Sequence, residues 1–217
     1  MSDAVVLYGY RYSVYTRIAC MALRLKCVPY EPREVNPFDS KNPQLGQPHL
    51  HPFGRVPVLS DGGYTLFETS AITRYVDSAF DGPDLMPPSV RAQGRVHQVI
   101  AILDNYGYWP MVRQVFAHRV FRPLVGETPS EAEIAAGLSA SLKVLETLNQ
   151  IASEGLCLTG KALTLADCHL APMLDYFLRA KEGEEIVAVY PALIRWWAAV
   201  QEHQCVRATD PDLSALT

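Results

Sequence analysis

The apolar residues of this 217-residue chain change their spacing after about 80 residues, and this change limits the folds that the chain can adopt. Before the change, short apolar runs typical of strands alternate with segments whose apolar residues recur every three or four positions. After it, the helical spacing continues to the end. Gly and Pro cluster at the change, in residues 81–84 and 86–88, as in a linker. We therefore predict an α/β unit over residues 1–81, a linker over residues 82–89 and an all-helical unit over residues 90–217.

The pattern of the first unit predicts the order strand, helix, strand, strand, strand, helix. The predicted strands cover residues 4–8, 27–35, 56–59 and 64–67, and the predicted helices carry their apolar stripes at residues 18–25 and 71–80. An Asp-Gly-Gly turn at residues 61–63 separates the third strand from the fourth. Because Asp-Gly is a preferred sequence for a tight turn between paired strands, these two strands are expected to form a β-hairpin.

Charge and cysteine content exclude several classes of function. The chain has 19 Lys and Arg against 23 Asp and Glu, and neither half is polybasic, which argues against nucleic acid and anionic lipid as partners. No apolar run reaches the ~18 to 20 residues of a membrane span, and the N-terminus lacks the pattern of a signal peptide, so a cytoplasmic location is expected. Five cysteines without a CxxC pair do not form a disulfide scaffold.

Hydroxyl side chains collect at the turn from the first strand into the first helix, residues 9–17. A helix N-terminus presents unpaired N–H groups and a partial positive charge, which favour a bound anion. Ser13 stands where this helix is expected to begin. Its hydroxyl can act simply as an N-cap, or it can donate a hydrogen bond to a thiolate and lower the pKa of a thiol.

Three further motifs lie at the ends of predicted elements. Residues 52–59 place a Val-Pro bond at the start of a strand, and the pair Glu68-Thr69 stands where a strand passes into a helix. Thr164 and Asp167 have the spacing of a reciprocal helix cap, which is a structural role. In their order and spacing, together with the Ser13 turn, these motifs resemble the cytosolic glutathione transferase superfamily over nearly the whole chain. The resemblance is to its serine-type classes, such as theta, phi, zeta or a related bacterial class.

The resemblance implies an α+β protein with a thioredoxin-like N-terminal βαβ-ββα domain and an all-α C-terminal domain. It further implies an enzyme of detoxification that adds the thiolate of glutathione to an electrophilic, largely apolar small molecule. Glutathione would be the co-substrate, no metal would be needed, and the protein would act as a homodimer in the cytoplasm.

The residue roles that the resemblance implies for glutathione binding fall on Arg55, Val56, Pro57, Glu68, Thr69 and Lys41. The backbone of Val56 would pair with the cysteinyl part of the peptide, as an added strand does, and Pro57 would be the cis-proline of the fold. Glu68 would face the γ-glutamyl ammonium and Thr69 its carboxylate. Arg55 or Lys41 would bind the glycyl carboxylate.

Ser13 aligns with the residue that activates the thiol in the serine-type and cysteine-type classes. Two departures from the family pattern keep rivals open: Val14 replaces the Pro of many members, and tyrosines crowd the turn. Tyrosine-type classes use a phenol from the end of the first strand, which makes Tyr8 a rival donor. Tyr12 is a second rival, or faces the second substrate. The turn has no cysteine, which argues against mixed-disulfide chemistry.

The second substrate is expected to bind between the domains, as small molecules often do. An aromatic-rich helical segment offers a wall for it, and with Tyr12 the candidates are Tyr108, Trp109, Met111, Val112 and Phe116. The alternative for this segment is ordinary core packing. His49 and His51 lie close in sequence, but no acid or cysteine beside them completes a metal site, so no metal is predicted.

Two alternatives to a transferase stay open. In a glutathione-dependent isomerase of the zeta type, glutathione would be a recycled cofactor, but the zeta-type loop with two serines and a cysteine is missing. A non-catalytic binding or scaffold module with the same fold would not need to keep Ser13, Val56-Pro57 and Glu68-Thr69 together. Their joint presence favours the enzyme.

Overall fold

The computed structural model describes residues 4–39 and 50–216. The chain divides into two compact units, Met1–Leu85 and Met86–Thr217. Each unit has a hydrophobic interior of its own elements.

The first unit is a four-stranded mixed sheet with two helices. Its strands are β1 (Val5–Gly9), β2 (Tyr30–Glu34), β3 (Val58–Asp61) and β4 (Tyr64–Phe67), and its helices are α1 (Val14–Leu25) and α2 (Thr69–Ala79). The strand order is β2-β1-β3-β4, with β1 and β2 parallel and the other pairs antiparallel. The predicted order of elements is confirmed, including the hairpin of β3 and β4.

Side-chain alternation explains how the sheet is buried. Val5 and Leu7 of β1 are buried, whereas Tyr8 lies on the other face and is only half-buried. Strand β2 begins three residues later than the sequence suggests and carries Pro32. A proline has no N–H for a strand ladder, and β2 is an edge strand, where proline is tolerated.

The second unit is helical throughout. Its elements are α3 (Val90–Ile102), two π-helical segments (Leu103–Gly107 and Trp109–Phe121), α4 (Arg122–Leu124), α5 (Glu131–Ser153), α6 (Leu165–Leu178), α7 (Lys181–Val187), α8 (Pro191–Val200), α9 (Gln204–Arg207) and a final 3₁₀ turn (Leu213–Leu216). Apolar spacing predicts helix across this region, but it does not predict the wider π-helical turns. The α+β prediction is confirmed.

Helix α6 forms the centre of the helical unit, because it is buried on almost every side. The reciprocal cap predicted at its N-terminus is present: Asp167 accepts hydrogen bonds from the Thr164 N–H at 2.7 Å and from the Thr164 hydroxyl at 2.6 Å. The indole N–H of Trp196 donates to the other carboxylate oxygen at 2.6 Å. Burial raises the pKa of Asp167, and these donors oppose the rise.

Across residues 4–39 and 50–216, no helix combines the length and the apolar character needed to cross a membrane.

Candidate active site

Ser13 is the N-cap of α1, with an extended backbone. Its hydroxyl oxygen accepts a hydrogen bond from the Thr16 N–H at 3.3 Å, and its own N–H donates to the Tyr10 carbonyl at 2.8 Å. The capping role is therefore real. This role leaves the Ser13 O–H available as a donor, because a hydroxyl that accepts one hydrogen bond keeps its own hydrogen to donate.

A tight contact between β1 and α1 fixes the position of Ser13. Gly9 is the last residue of β1, and a Cβ atom there would collide with the side chain of Thr16. Thr16 in turn accepts a hydrogen bond from the Tyr10 N–H at 3.2 Å. The end of the strand and the first turn of the helix are thus locked together around the Ser13 hydroxyl.

A buried cation lies one helical turn beyond Ser13. The side chain of Arg17 is on α1, and the residue is 2 % exposed. The backbone N–H of Arg17 donates a hydrogen bond to the backbone carbonyl of Ser13 at 3.1 Å. The partial positive charge of the helix N-terminus favours an anion near Ser13, and the Arg17 guanidinium carries a charge of the same sign on the same helix.

The rival donor Tyr8 contacts the edge strand β2. Its hydroxyl accepts a hydrogen bond from the Arg33 guanidinium at 3.4 Å, and that guanidinium also lies over the Tyr8 ring at 5.7 Å from its centroid. Arg33 belongs to the edge strand β2. The phenol is therefore held on the sheet face that carries the exposed Glu31–Arg33 pair.

The turn after β1 also carries an aromatic cluster, formed by Tyr10, Tyr12 and Phe38. Tyr10 packs edge-on against Tyr12 at 5.3 Å between ring centroids and against Phe38 at 6.0 Å. Phe38 is 66 % exposed, so the cluster offers an aromatic surface to a ligand. Burial, with Tyr12 and Glu34 nearby, raises the pKa of Tyr10, which keeps its phenol protonated. Sequence reasoning singled out Tyr12 for the second substrate and missed Phe38, which is distant along the chain.

The peptide bond between Val56 and Pro57 is cis, which confirms the predicted conformation of this bond, whereas a role of Pro57 in glutathione binding stays a prediction. The β3 strand begins only at Val58, and Val56 makes no ladder pair with the described strands. The N–H and C=O of Val56 therefore lie at the end of a strand, where an extended peptide can add.

The Glu68-Thr69 pair occupies the junction of β4 and α2. Glu68 is the N-cap of α2 and has φ 68° and ψ 114°, a left-handed backbone that few residues with a side chain adopt. Thr69 is buried at the first helical position, and the N–H groups of Ala71 and Ile72 donate to the Glu68 carbonyl, both at 2.9 Å. Such strain at an exposed acid beside a helix N-terminus is typical of a ligand-binding position.

His51 lies between these two segments, a placement that sequence reasoning did not foresee. Its ring packs on Phe67, the last residue of β4, at 4.9 Å between centroids. Its Nδ1 accepts a hydrogen bond from the Phe53 N–H at 3.2 Å. Burial lowers the pKa of His51; Glu68 raises that pKa and Arg55 lowers it further. Arg55 is exposed, and Lys41 lies outside the described residues.

The candidates for the second-substrate wall divide by exposure. Met111, Val112 and Phe116 are buried in the helical unit, and the Phe116 ring stacks on Tyr176 at 4.0 Å between centroids. This is the core packing that the sequence left open as an alternative. Trp109 is 59 % exposed and Tyr108 is half-buried, so the side chains of these two candidates have accessible surface that a substrate could contact.

Among residues 4–39 and 50–216, no group of three or more His, Cys, Asp or Glu side chains is placed to hold a metal ion.

The fold and the site define a protein with a thioredoxin-like unit and a helical unit. The family model described as "Glutathione S-transferase, N-terminal domain" matches residues 7–84, and the one described as "Glutathione S-transferase, C-terminal domain" matches residues 131–199.

Individual relatives agree with the family models. The chain is 31 % identical over 201 residues to glutathione S-transferase 4 of Zea mays, which spans 90 % of this chain and 87 % of the relative. It is 26 % identical over 213 residues to glutathione S-transferase F13 of Arabidopsis thaliana, spanning 97 % of both chains. The solved structure of glutathione S-transferase III in its apo form has a TM-score of 0.83 at 26 % identity, covering 97 % of both chains. The chain belongs to the glutathione S-transferase family.

Proposed function

We propose that this chain is a serine-type glutathione transferase in which Ser13 stabilises the thiolate of bound glutathione for attack on an electrophilic, largely apolar small molecule. The observation that carries the proposal is the position of the Ser13 hydroxyl. It caps α1 and keeps a hydrogen to donate at the end of the helix that favours an anion.

The thiolate is the reactive form of glutathione. A free thiol has a pKa of about 8.5, and lowering it to about 6.5 requires about 2.7 kcal/mol of preferential stabilisation of the anion. The Ser13 O–H donates to the sulfur, and its oxygen accepts from the Thr16 N–H, which strengthens the O–H as a donor. The helix N-terminus and the buried Arg17 guanidinium supply the remainder through their charge.

The peptide is held by three segments of the first unit. The backbone of Val56 pairs with the cysteinyl residue, Glu68 binds the γ-glutamyl ammonium, and Thr69 with the N-terminus of α2 binds the γ-glutamyl carboxylate. Arg55 is an exposed cation, and we assign it to the glycyl carboxylate of glutathione. Lys41 is the alternative for this role.

In the chemical step, the sulfur lone pair forms a carbon–sulfur bond. The displaced electrons leave with a halide or other leaving group, or they move onto an acceptor oxygen that then takes a proton from water. The Tyr10–Tyr12–Phe38 cluster gives the electrophile an aromatic surface. Tyr108 and Trp109 are the members of the predicted wall whose exposure suits a second-substrate role.

The test is a calorimetric titration with glutathione followed by turnover of aryl halides, enals, hydroperoxides and maleyl compounds. Saturable glutathione binding together with formation of a carbon–sulfur conjugate of glutathione from at least one electrophile supports the proposal. Binding without turnover across the panel would instead support a scaffold, and isomerisation of a maleyl compound without consumption of glutathione would support the zeta-type reaction.

We further propose that the protein acts as a homodimer in the cytoplasm, as the resemblance implies. Light scattering gives its mass in solution. A mass near twice 24.1 kDa supports the dimer, and a mass near 24.1 kDa would contradict it.

A further inference from the structure

His51 is a buried histidine that the proposed mechanism does not use. It is 7 % exposed and belongs to none of the segments that contact glutathione in the proposed function. Because a buried polar side chain is costly unless its atoms are satisfied, its partners indicate what it does.

Two side-chain contacts and one backbone contact tie His51 to both glutathione-binding segments. On its own side, Nδ1 accepts the Phe53 N–H at 3.2 Å and the His51 carbonyl accepts the Gly54 N–H at 3.0 Å, which closes the turn that leads into Arg55 and Val56. On the other side, its ring packs on Phe67, the residue directly before Glu68. Phe53 also contacts the Phe67 ring, edge-on at 6.4 Å.

The hydrogen bond fixes the state of the imidazole. Since Nδ1 accepts, the proton of the neutral ring is on Nε2, and a doubly protonated ring could not accept the Phe53 N–H. Among the described residues, the charged groups that act on His51 are Glu68 and Arg55, which oppose each other. Burial favours the neutral ring that the turn requires.

We propose that His51 is a positioning residue for glutathione, which holds the turn before Val56 and the strand end before Glu68 at a fixed separation. The proposal rests on the proposed function, because it assigns those two segments to the peptide. A tripeptide that spans both segments binds tightly only if they are ordered before it arrives, since ordering them on binding reduces the affinity.

Three substitutions separate the two contacts. His51→Asn keeps an acceptor for the N–H two residues on, as in an Asx turn, but lacks the ring. His51→Phe keeps a ring to pack on Phe67 but has no acceptor. His51→Ala lacks both. The matched control is His203→Phe, because Nδ1 of His203 accepts the Cys205 N–H at 3.2 Å with the same two-residue spacing, in the helical unit.

The experiment measures the Kd of glutathione by calorimetry, kcat and KM with an electrophile that the wild type turns over, and thermal unfolding of each full-length variant. We expect His51→Phe and His51→Ala to raise the Kd and KM for glutathione roughly fivefold to tenfold, the equivalent of one lost hydrogen bond, with kcat nearly unchanged. His51→Asn should restore the affinity to within roughly threefold of the wild type, and His203→Phe should leave it unchanged.

A pH series adds a readout that a purely structural role would not produce. Because burial lowers the pKa of His51 below its usual value of about 6.5, its protonation should begin only as the pH falls below about 6.5, and there it should raise the KM for glutathione in the wild type more steeply than in His51→Asn, whose acceptor does not titrate. Wild-type affinity in His51→Phe and His51→Ala, or parallel pH profiles for the wild type and His51→Asn, would overturn the proposal. Failure of the wild type to bind glutathione would instead overturn the proposed function.

Discussion

At the scale of single residues, the site depends on groups that are placed at some cost to the fold. Glu68 is the clearest case, because it has a left-handed backbone although it carries a side chain, and its carboxylate is exposed rather than paired in the described structure. Backbone strain of this kind is typically worth about 1 to 3 kcal/mol. A structural role would be better served by a glycine.

Replacing Glu68 with glycine should therefore separate stability from binding. We expect Glu68→Gly to raise the free energy of unfolding by about 1 kcal/mol, because glycine adopts positive φ without strain. The same change should weaken glutathione binding by tenfold or more, since a charge-assisted hydrogen bond is worth roughly 1.5 to 3 kcal/mol. Urea unfolding and calorimetry check both effects. A Glu68→Gly variant that is less stable and binds glutathione normally would contradict the assignment. The control is Glu68→Gln, which keeps the backbone strain and removes only the charge, so it measures the contribution of the charge to glutathione binding.

At the scale of elements, the contact between β1 and α1 positions the thiolate site. Adding a methyl group in Gly9→Ala forces Thr16 and the first turn of α1 to move, because the new Cβ would overlap the Thr16 side chain. We expect about 1 to 3 kcal/mol of destabilisation, as for other overpacked sites, and a higher pKa for the bound thiol. Adding Thr16→Ser removes the nearer methyl group and should recover part of both losses. Equal effects in the single and double variants would show that the contact does not position Ser13.

A buried ion pair joins the two helices of the first unit. Lys26, the C-cap of α1, lies 3.5 Å from the Asp77 carboxylate of α2, with side chains 2 % and 11 % exposed, and Asp77 also accepts the Leu85 N–H at 2.8 Å. Asp77→Asn leaves the Lys26 ammonium buried without its counter-charge. We expect a loss of roughly 3 to 5 kcal/mol in the free energy of unfolding.

The control for that prediction is the exposed pair of Lys143 and Glu146 on α5, at 3.0 Å. Because solvent screens this pair, Glu146→Gln should cost less than about 0.5 kcal/mol. Chemical denaturation of both variants at one pH and salt concentration compares them. Similar small losses would mean that Lys26 finds another partner or reaches water.

At the scale of the whole molecule, local patterns predicted the order of elements but not the shape of the site. The caps at Ser13 and Asp167 follow from neighbouring residues, so they are visible in the sequence. The packing of His51 on Phe67 joins residues from separate segments of the chain. No pattern among the neighbours of His51 in the sequence predicts this contact. The π-helical turns around Trp109 depend on backbone register, which apolar spacing does not encode.

In the proposed function, Ser13 lowers the pKa of the glutathione thiol. The most direct measurement is an ultraviolet titration of the thiolate of bound glutathione, in the wild type and in Ser13→Ala, with affinity measured in parallel. We predict a thiol pKa below 7.5 in the wild type and a rise of at least about one pH unit in Ser13→Ala, about 1.4 kcal/mol, while glutathione still binds. An unchanged thiol pKa in Ser13→Ala would contradict the proposed role of Ser13 and transfer the donor role to Tyr8 or Tyr12.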